Sequence, residues 1–193
     1  MTTATTSTER ADLLDTLAKH RHFLRYTVRE LTDEQAARRT TASELCLGGL
    51  VKHVAITEEQ WIGFMVRGPE AMALTEDSWT EHANGFQMLE GETLAGILAR
   101  YDEVARRTDA LVRELPGLDA SHPLPEAPWF EPGARWSARR VLLHIIAETS
   151  QHAGHADILR ESLDGARTMG WNRTSEPYCC FPGAKSAVWL RGC

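Results

Sequence analysis

No stretch of the sequence approaches the roughly 20 consecutive apolar residues that a membrane-spanning helix needs. Its opening, MTTATTSTER, has neither the basic nor the apolar region of a secretory signal. The cytoplasm is therefore the expected compartment and a membrane partner is not expected. Positive charge is in the minority: 21 Lys and Arg stand against 27 Asp and Glu, a formal net charge of −6. That balance gives no electrostatic support to a grip on nucleic-acid phosphates. Cysteine is scarce, and Cys46, Cys179, Cys180 and Cys193 show no CxxC spacing, so reduced thiols are expected rather than a disulfide scaffold. Strand signals are also missing. No window joins β-branched enrichment to sustained alternation, and no turn signal separates two strand-like runs, so a sheet is not expected.

What is present reads as helix. With 42% hydrophobic and 25% charged residues the 193-residue chain fits one globular domain. All eight prolines lie at 69, 116, 123, 125, 128, 132, 177 and 182, and four helix-forming blocks stand between them. From about Glu9 to Leu31, Leu13, Leu17, Leu24, Val28 and Leu31 recur at steps of three, four and seven, the period of one buried helix face. Thr41 to Glu44 reads as a capping box opening a helix to about Val66, with Leu47, Leu50, Val51, Val54, Trp61, Ile62 and Met65 as its stripe. A third helix is predicted from about Glu92 to Leu115, stopped by Pro116 and Gly117. The fourth runs from an N-cap at Ser137 to about Leu163, with Gly165 as its stop.

Helices of this length suit side-by-side packing in an all-α four-helix bundle. The connections after the second and third helices, 67–91 and 116–136, are long enough to cross the bundle or cover an end. The second is rich in proline and aromatics, including Trp129, Phe130 and Trp136, and reads either as an ordered lid or as a simple cap on the core. The expected division is a bundle over residues 1–170 and an irregular tail over 171–193.

One feature breaks the hydrophobic logic. On the fourth helix Val141, Ile145, Glu148, His152, His155 and Leu159 are spaced 4, 3, 4, 3, 4, an inward-facing stripe in which half the members are ionisable. Burying such groups without partners costs several kcal/mol, so something must satisfy them. Glu148 and His152 are one turn apart and lean over the same patch, which can place a carboxylate oxygen and an imidazole nitrogen on one cation. His53, about ten residues inside the second helix and flanked by Gly49, Leu50 and Thr57, is the best third ligand from a facing helix. Two imidazoles and one carboxylate leave a divalent cation with an open position, the pattern of a reactive rather than a structural zinc-type site. From spacing alone a buried hydrogen-bonded Glu148–His152 pair remains an equal reading. His155 is the candidate for orienting a ligand or carrying a proton, His144 for a supporting or surface role. His20, His22, His82 and His122 read as solvated. Arg139, Arg140 and Arg160 are candidates for holding a substrate carboxylate, although helix-surface arginines are usually just solvated.

The run HIIAETSQHAGHADILRESLDG from His144 to Gly165, with SELCLGGLVKHVAITEEQW around His53, resembles the DinB-like superfamily of four-helix bundles over about residues 9–170. Within it the chain looks closest to the branch related to mycothiol-dependent maleylpyruvate isomerases and mycothiol S-transferases. The resemblance implies one divalent cation, zinc or nickel, held by His53, Glu148 and His152. It also implies a long crossover between the second and third helices, and frequent homodimers. Glutamate at the middle ligand, where many DinB-like proteins have histidine, points to the thiol-linked branch. The isomerases it resembles carry an additional C-terminal domain for which 193 residues leave no room, which turns the expectation toward S-transfer. The partners expected are a low-molecular-weight thiol such as mycothiol and an electrophile. A non-catalytic metal-binding module and a metal-free helical interaction protein are the competing classes.

Overall fold

The computed structural model describes residues 3–72, 80 and 84–168. The expected tail, including Cys179, Cys180 and Cys193, lies outside the described residues, as does His82. Four long helices form the body: α1 (Thr3–Thr27), α3 (Leu47–Arg67), α4 (Leu94–Glu114) and α5 (Ala138–Asp164). A short helix α2 (Asp33–Ala37) sits in the first connection, and a 3-10 turn follows α3 at Gly68–Met72. Among the described residues no helix is long and apolar enough to cross a membrane.

The direction of each helix follows from two apolar clusters at opposite ends of the bundle. One gathers Leu24 and Val28 of α1, Leu47 to Ala55 of α3, Leu94 to Tyr101 of α4 and Ala153 to Leu159 of α5. The other gathers Leu14 and Leu17, Trp61 to Met65, Val112, and Ala138 to Ile145. So α3 and α4 run parallel to each other and antiparallel to α1 and α5. Two parallel helices in sequence need a crossover the length of the bundle, which accounts for the long connection from residue 68 to 93. Between the clusters lies a polar layer, with Arg21, Glu58, Thr108 and Thr149 buried in it beside His53 and His152.

The start of α3 differs from the expectation. Thr41 and Ser43 do not cap a helix; their hydroxyls accept from the amides of Ser43 and Leu45, two residues on. Such bonds close tight turns that compete with a first helical turn. Glu44 is exposed and pairs with Arg39. The helix begins five residues later than expected, with Cys46 as N-cap and its Sγ accepting from the Gly49 amide. The reciprocal capping box is instead at Thr32, whose hydroxyl accepts from the Gln35 amide while Gln35 Oε1 accepts from the Thr32 amide.

A sheet, not expected, is present as a two-stranded antiparallel hairpin. Strand β1 (Ser121–Pro123) pairs with β2 (Arg135–Ser137), with His122 opposite Trp136. Three residues per strand are too few for an alternation to be read, and Pro123 hides the segment further. The hairpin seats the start of α5: Ser137, the last residue of β2, is its N-cap, and its hydroxyl accepts from the Arg140 amide. Gly165 ends α5 in the left-handed conformation at φ 77°, as expected. The connection caps the core, since Leu118 is buried and Phe130 and Trp136 pack on the second cluster.

Arg160 is not a surface arginine. It is buried, ion-paired with Asp164, and its Nη1 donates to the carbonyls of Thr27 and Arg29 at 2.8 Å each. It thereby caps the C-terminus of α1 where that helix ends, short of the expected Leu31. Arg160→Met should cost about 2–3 kcal/mol in chemical denaturation, because one buried and one half-buried carbonyl lose a charged donor.

Candidate metal centre

His53 stands in the second turn of α3 and Glu148 and His152 in the middle of α5. The antiparallel packing of these two helices brings the second turn of α3 against the middle of α5. His152 Nε2 lies 3.4 Å from Glu148 Oε2, and His53 Nε2 lies 4.0 Å from the same oxygen. The imidazoles of His53 and His152 meet edge to face with centroids 4.8 Å apart. One ligand atom from each of the three falls within 4.8 Å of the others. The chemistry of this donor set fits a cation: four ligands at about 2.1 Å in tetrahedral array stand roughly 3.4 Å apart. Small side-chain rotations would bring the trio to that spacing.

Exposure gives the site a direction. The side chains of His53 and His152 are 10% and 11% exposed, whereas Glu148 is 28% exposed, so the opening lies on the carboxylate's side. Glu148 is held below the usual carboxylate range, first by its hydrogen bond with His152 and then by the neighbouring imidazoles, against the opposing effect of burial. It is a carboxylate at neutral pH. Its second oxygen, Oε1, faces His144 Nε2 at 3.9 Å. Burial pushes the His144 imidazole below its ordinary range, so that ring is neutral at pH 7. The ring of His144 stands edge-on to Trp61 and Trp136, which stack on each other at 4.7 Å. His144 therefore supports the site from the aromatic cluster that caps the bundle end. His155 is half-buried, its Nδ1 3.4 Å from Nδ1 of His152, on the side of that ring turned away from Glu148.

Other candidates fall elsewhere. His122 is not a solvated loop residue; it lies in β1 with Nε2 3.2 Å from the Met65 carbonyl, and its ring packs edge-on against Phe64. His22 is exposed, while His20 is half-buried and packs on Phe23. Arg139 bridges Glu9 and Asp119, and Arg140 lies over the Trp136 ring at 4.7 Å. Trp129 is 60% exposed, edge-on to Phe130. Two features went unread in the sequence. One is Phe86, whose ring stacks on His53 at 3.8 Å; the glycine pair Gly48–Gly49 inside a helix was the available signal of a close approach there. The other is the buried pair Arg21–Glu58.

Parallel second and third helices, a long crossover between them, and a His–Glu–His cluster shared by the second and fourth define a DinB-like bundle. The family model described as Mycothiol-S-transferase matches residues 12–165. The chain belongs to that family. No curated protein matches the sequence.

Proposed function

We propose that the protein is a divalent-metal-dependent S-transferase acting in the cytoplasm. It joins a low-molecular-weight thiol of the mycothiol type to an electrophile: the S–H bond breaks, sulfur bonds to the electrophilic atom as that atom's bond to a leaving group or ring oxygen breaks, and the thiol's proton goes to solvent or to the displaced group. The convergence of His53, Glu148 and His152 carries this reading, together with membership of a thiol-transferring family. These three residues would hold the cation; zinc is expected from a two-imidazole, one-carboxylate set with an open position, and nickel is the alternative. A bound divalent cation supplies a Lewis acid that lowers the pKa of a coordinated thiol, so that the sulfur is nucleophilic at neutral pH.

The chain's own residues do the rest. For His152 to offer the Nε2 lone pair its proton must sit on Nδ1, and His155 Nδ1, 3.4 Å away, is placed to accept it. His155 thus acts through His152, fixing its tautomer and ring plane. Glu148 brings a full negative charge, which offsets part of the cation's. The aromatic packing of His144, Trp61 and Trp136 on one side and of Phe86 on the other excludes water from the ligands' flanks.

The test is thiol consumption in the presence of a panel of electrophiles. Metal-loaded wild type is expected to accelerate it, and chelation or His152→Ala to return it to the uncatalysed rate. Equal background rates for wild type and His152→Ala across several thiols and electrophiles would refute the proposal.

A further inference from the structure

We propose that Phe86 is a positioning residue of the metal centre, clamped over His53 by a segment built for that purpose. This inference rests on the metal-binding reading above. The Phe86 ring lies against the His53 imidazole with centroids 3.8 Å apart and planes inclined by 19°, and it stands 5.8 Å from the His152 ring. A face-on contact at that distance fixes the plane of the imidazole, and with it the direction in which Nε2 points.

The segment that carries Phe86 is fastened to α3 at the turn just before His53. Its backbone runs directly over Gly49, and the Met88 side chain covers Gly48. A Cβ on Gly49 would stand 1.9 Å from the Phe86 carbonyl oxygen, and one on Gly48 would stand 2.1 Å from Met88 Sδ. Against that backbone no side chain fits at Gly49. Cys46 Sγ donates to the Phe86 carbonyl at 3.7 Å. Lys52, the residue before His53, is buried; its Nζ donates to the Gln87 carbonyl at 3.2 Å and pairs with Glu92 at 2.7 Å. Glu92 in turn accepts from the Leu89 amide at 2.7 Å. Glycines inside a helix cost about 1 kcal/mol each relative to alanine, and burying a lysine costs more. Both are spent at one turn of α3, and both serve to hold Phe86 where it is.

The contact also favours the loaded state. An imidazole that gives its lone pair to a cation becomes electron-poor, and the electron-rich face of an aromatic ring attracts an electron-poor partner more strongly than a neutral one. Phe86 therefore binds the loaded form of His53 better than the empty form, and by linkage the ring raises metal affinity.

The experiment uses the full chain, with zinc affinity measured by chelator competition and the site's symmetry read from the visible absorption of cobalt-loaded protein. Phe86→Leu keeps apolar volume, and hence the fold, but has no flat face. It should weaken zinc binding by about tenfold or more, in the range for residues that orient metal ligands, and change the cobalt spectrum. Phe86→Tyr keeps the ring and should stay within about twofold of wild type. Gly49→Ala, which lifts the segment off the helix, should behave like Phe86→Leu. Wild type holding one equivalent of metal, with Phe86→Leu unchanged in affinity and spectrum, would overturn the role of Phe86 alone. Wild type that takes up no zinc or cobalt would overturn the metal-binding reading as well.

Discussion

His152→Ala, expressed with supplemented metal and purified untagged, is expected to hold less than about a tenth of an equivalent of divalent metal where wild type holds one. Removing one of three protein ligands leaves His53 and Glu148, two donors on different helices, and two-ligand sites do not compete with water and buffer for a divalent cation. His152 also ties the other two together, because the Glu148 oxygen that faces His53 is the one that pairs with His152. His53→Ala and Glu148→Ala should therefore lose metal alike. His155→Ala should instead weaken binding by about 10- to 100-fold while keeping one equivalent at saturation, as a residue acting through a ligand does. Elemental analysis beside a chelator titration reads both. Wild type devoid of metal would favour the reading of the polar stripe as a hydrogen-bonded network.

Glu58→Ala should destabilise the fold by about 3–5 kcal/mol, lowering the melting temperature by roughly 10 °C. Glu58 is fully buried and is gripped by Arg21 through two donors, Nε at 3.1 Å and Nη2, and by the Thr108 hydroxyl at 2.5 Å. Arg21 also reaches Asp109. Deleting the glutamate leaves a buried guanidinium with one flank unpaired, and the desolvation of that charge is no longer offset. Burial first, and the Glu58 charge next, push the nearby Tyr101 phenol far above its ordinary range, so no second charge forms there to compensate. Replacing both partners, as Arg21→Met with Glu58→Leu, should recover most of the loss, because an apolar pair removes the desolvation cost on both sides. Urea denaturation of the two singles and the double gives the coupling. A loss under about 1 kcal/mol for Glu58→Ala would show the pair to be solvated. The pair and the His53–Glu148–His152 cluster occupy the same polar layer, so metal content must be measured on these variants too.

The seven-residue steps in the hydrophobic pattern held this layer in plain view. The stripe of α1 jumps from Leu17 to Leu24, and that of α3 from Val54 to Trp61. Arg21 and Glu58 stand at the skipped inward positions, one turn into each gap. A period that skips a turn announces a buried polar residue as surely as the ionisable run on α5 does. The α5 run was legible because Glu148 and His152 are local to each other, whereas the depth of about ten residues expected for His53 was overstated, since α3 begins only at Leu47. Helix direction was not legible, since a stripe reads the same from either end. It took the pairing of the two clusters to show α3 parallel to α4 and antiparallel to α5. Phe86 was hidden for a different reason: it sits in a connection with no periodicity, and only the paired glycines it rests on lie in a patterned segment. At Thr41 the sequence showed a capping signature that local hydroxyl bonds preempt, while the operative one stood at Thr32, nine residues earlier.

If His53, Glu148 and His152 hold a cation as proposed, its remaining position takes a thiol. The most direct test is to titrate cobalt-substituted protein with mycothiol while recording the near-ultraviolet and visible absorption. A saturable, intense sulfur-to-cobalt band is expected at one thiol per site, and is expected to be absent from His152→Ala. A cobalt spectrum that no thiol perturbs would contradict the proposal and leave the metal with a purely structural part in the bundle.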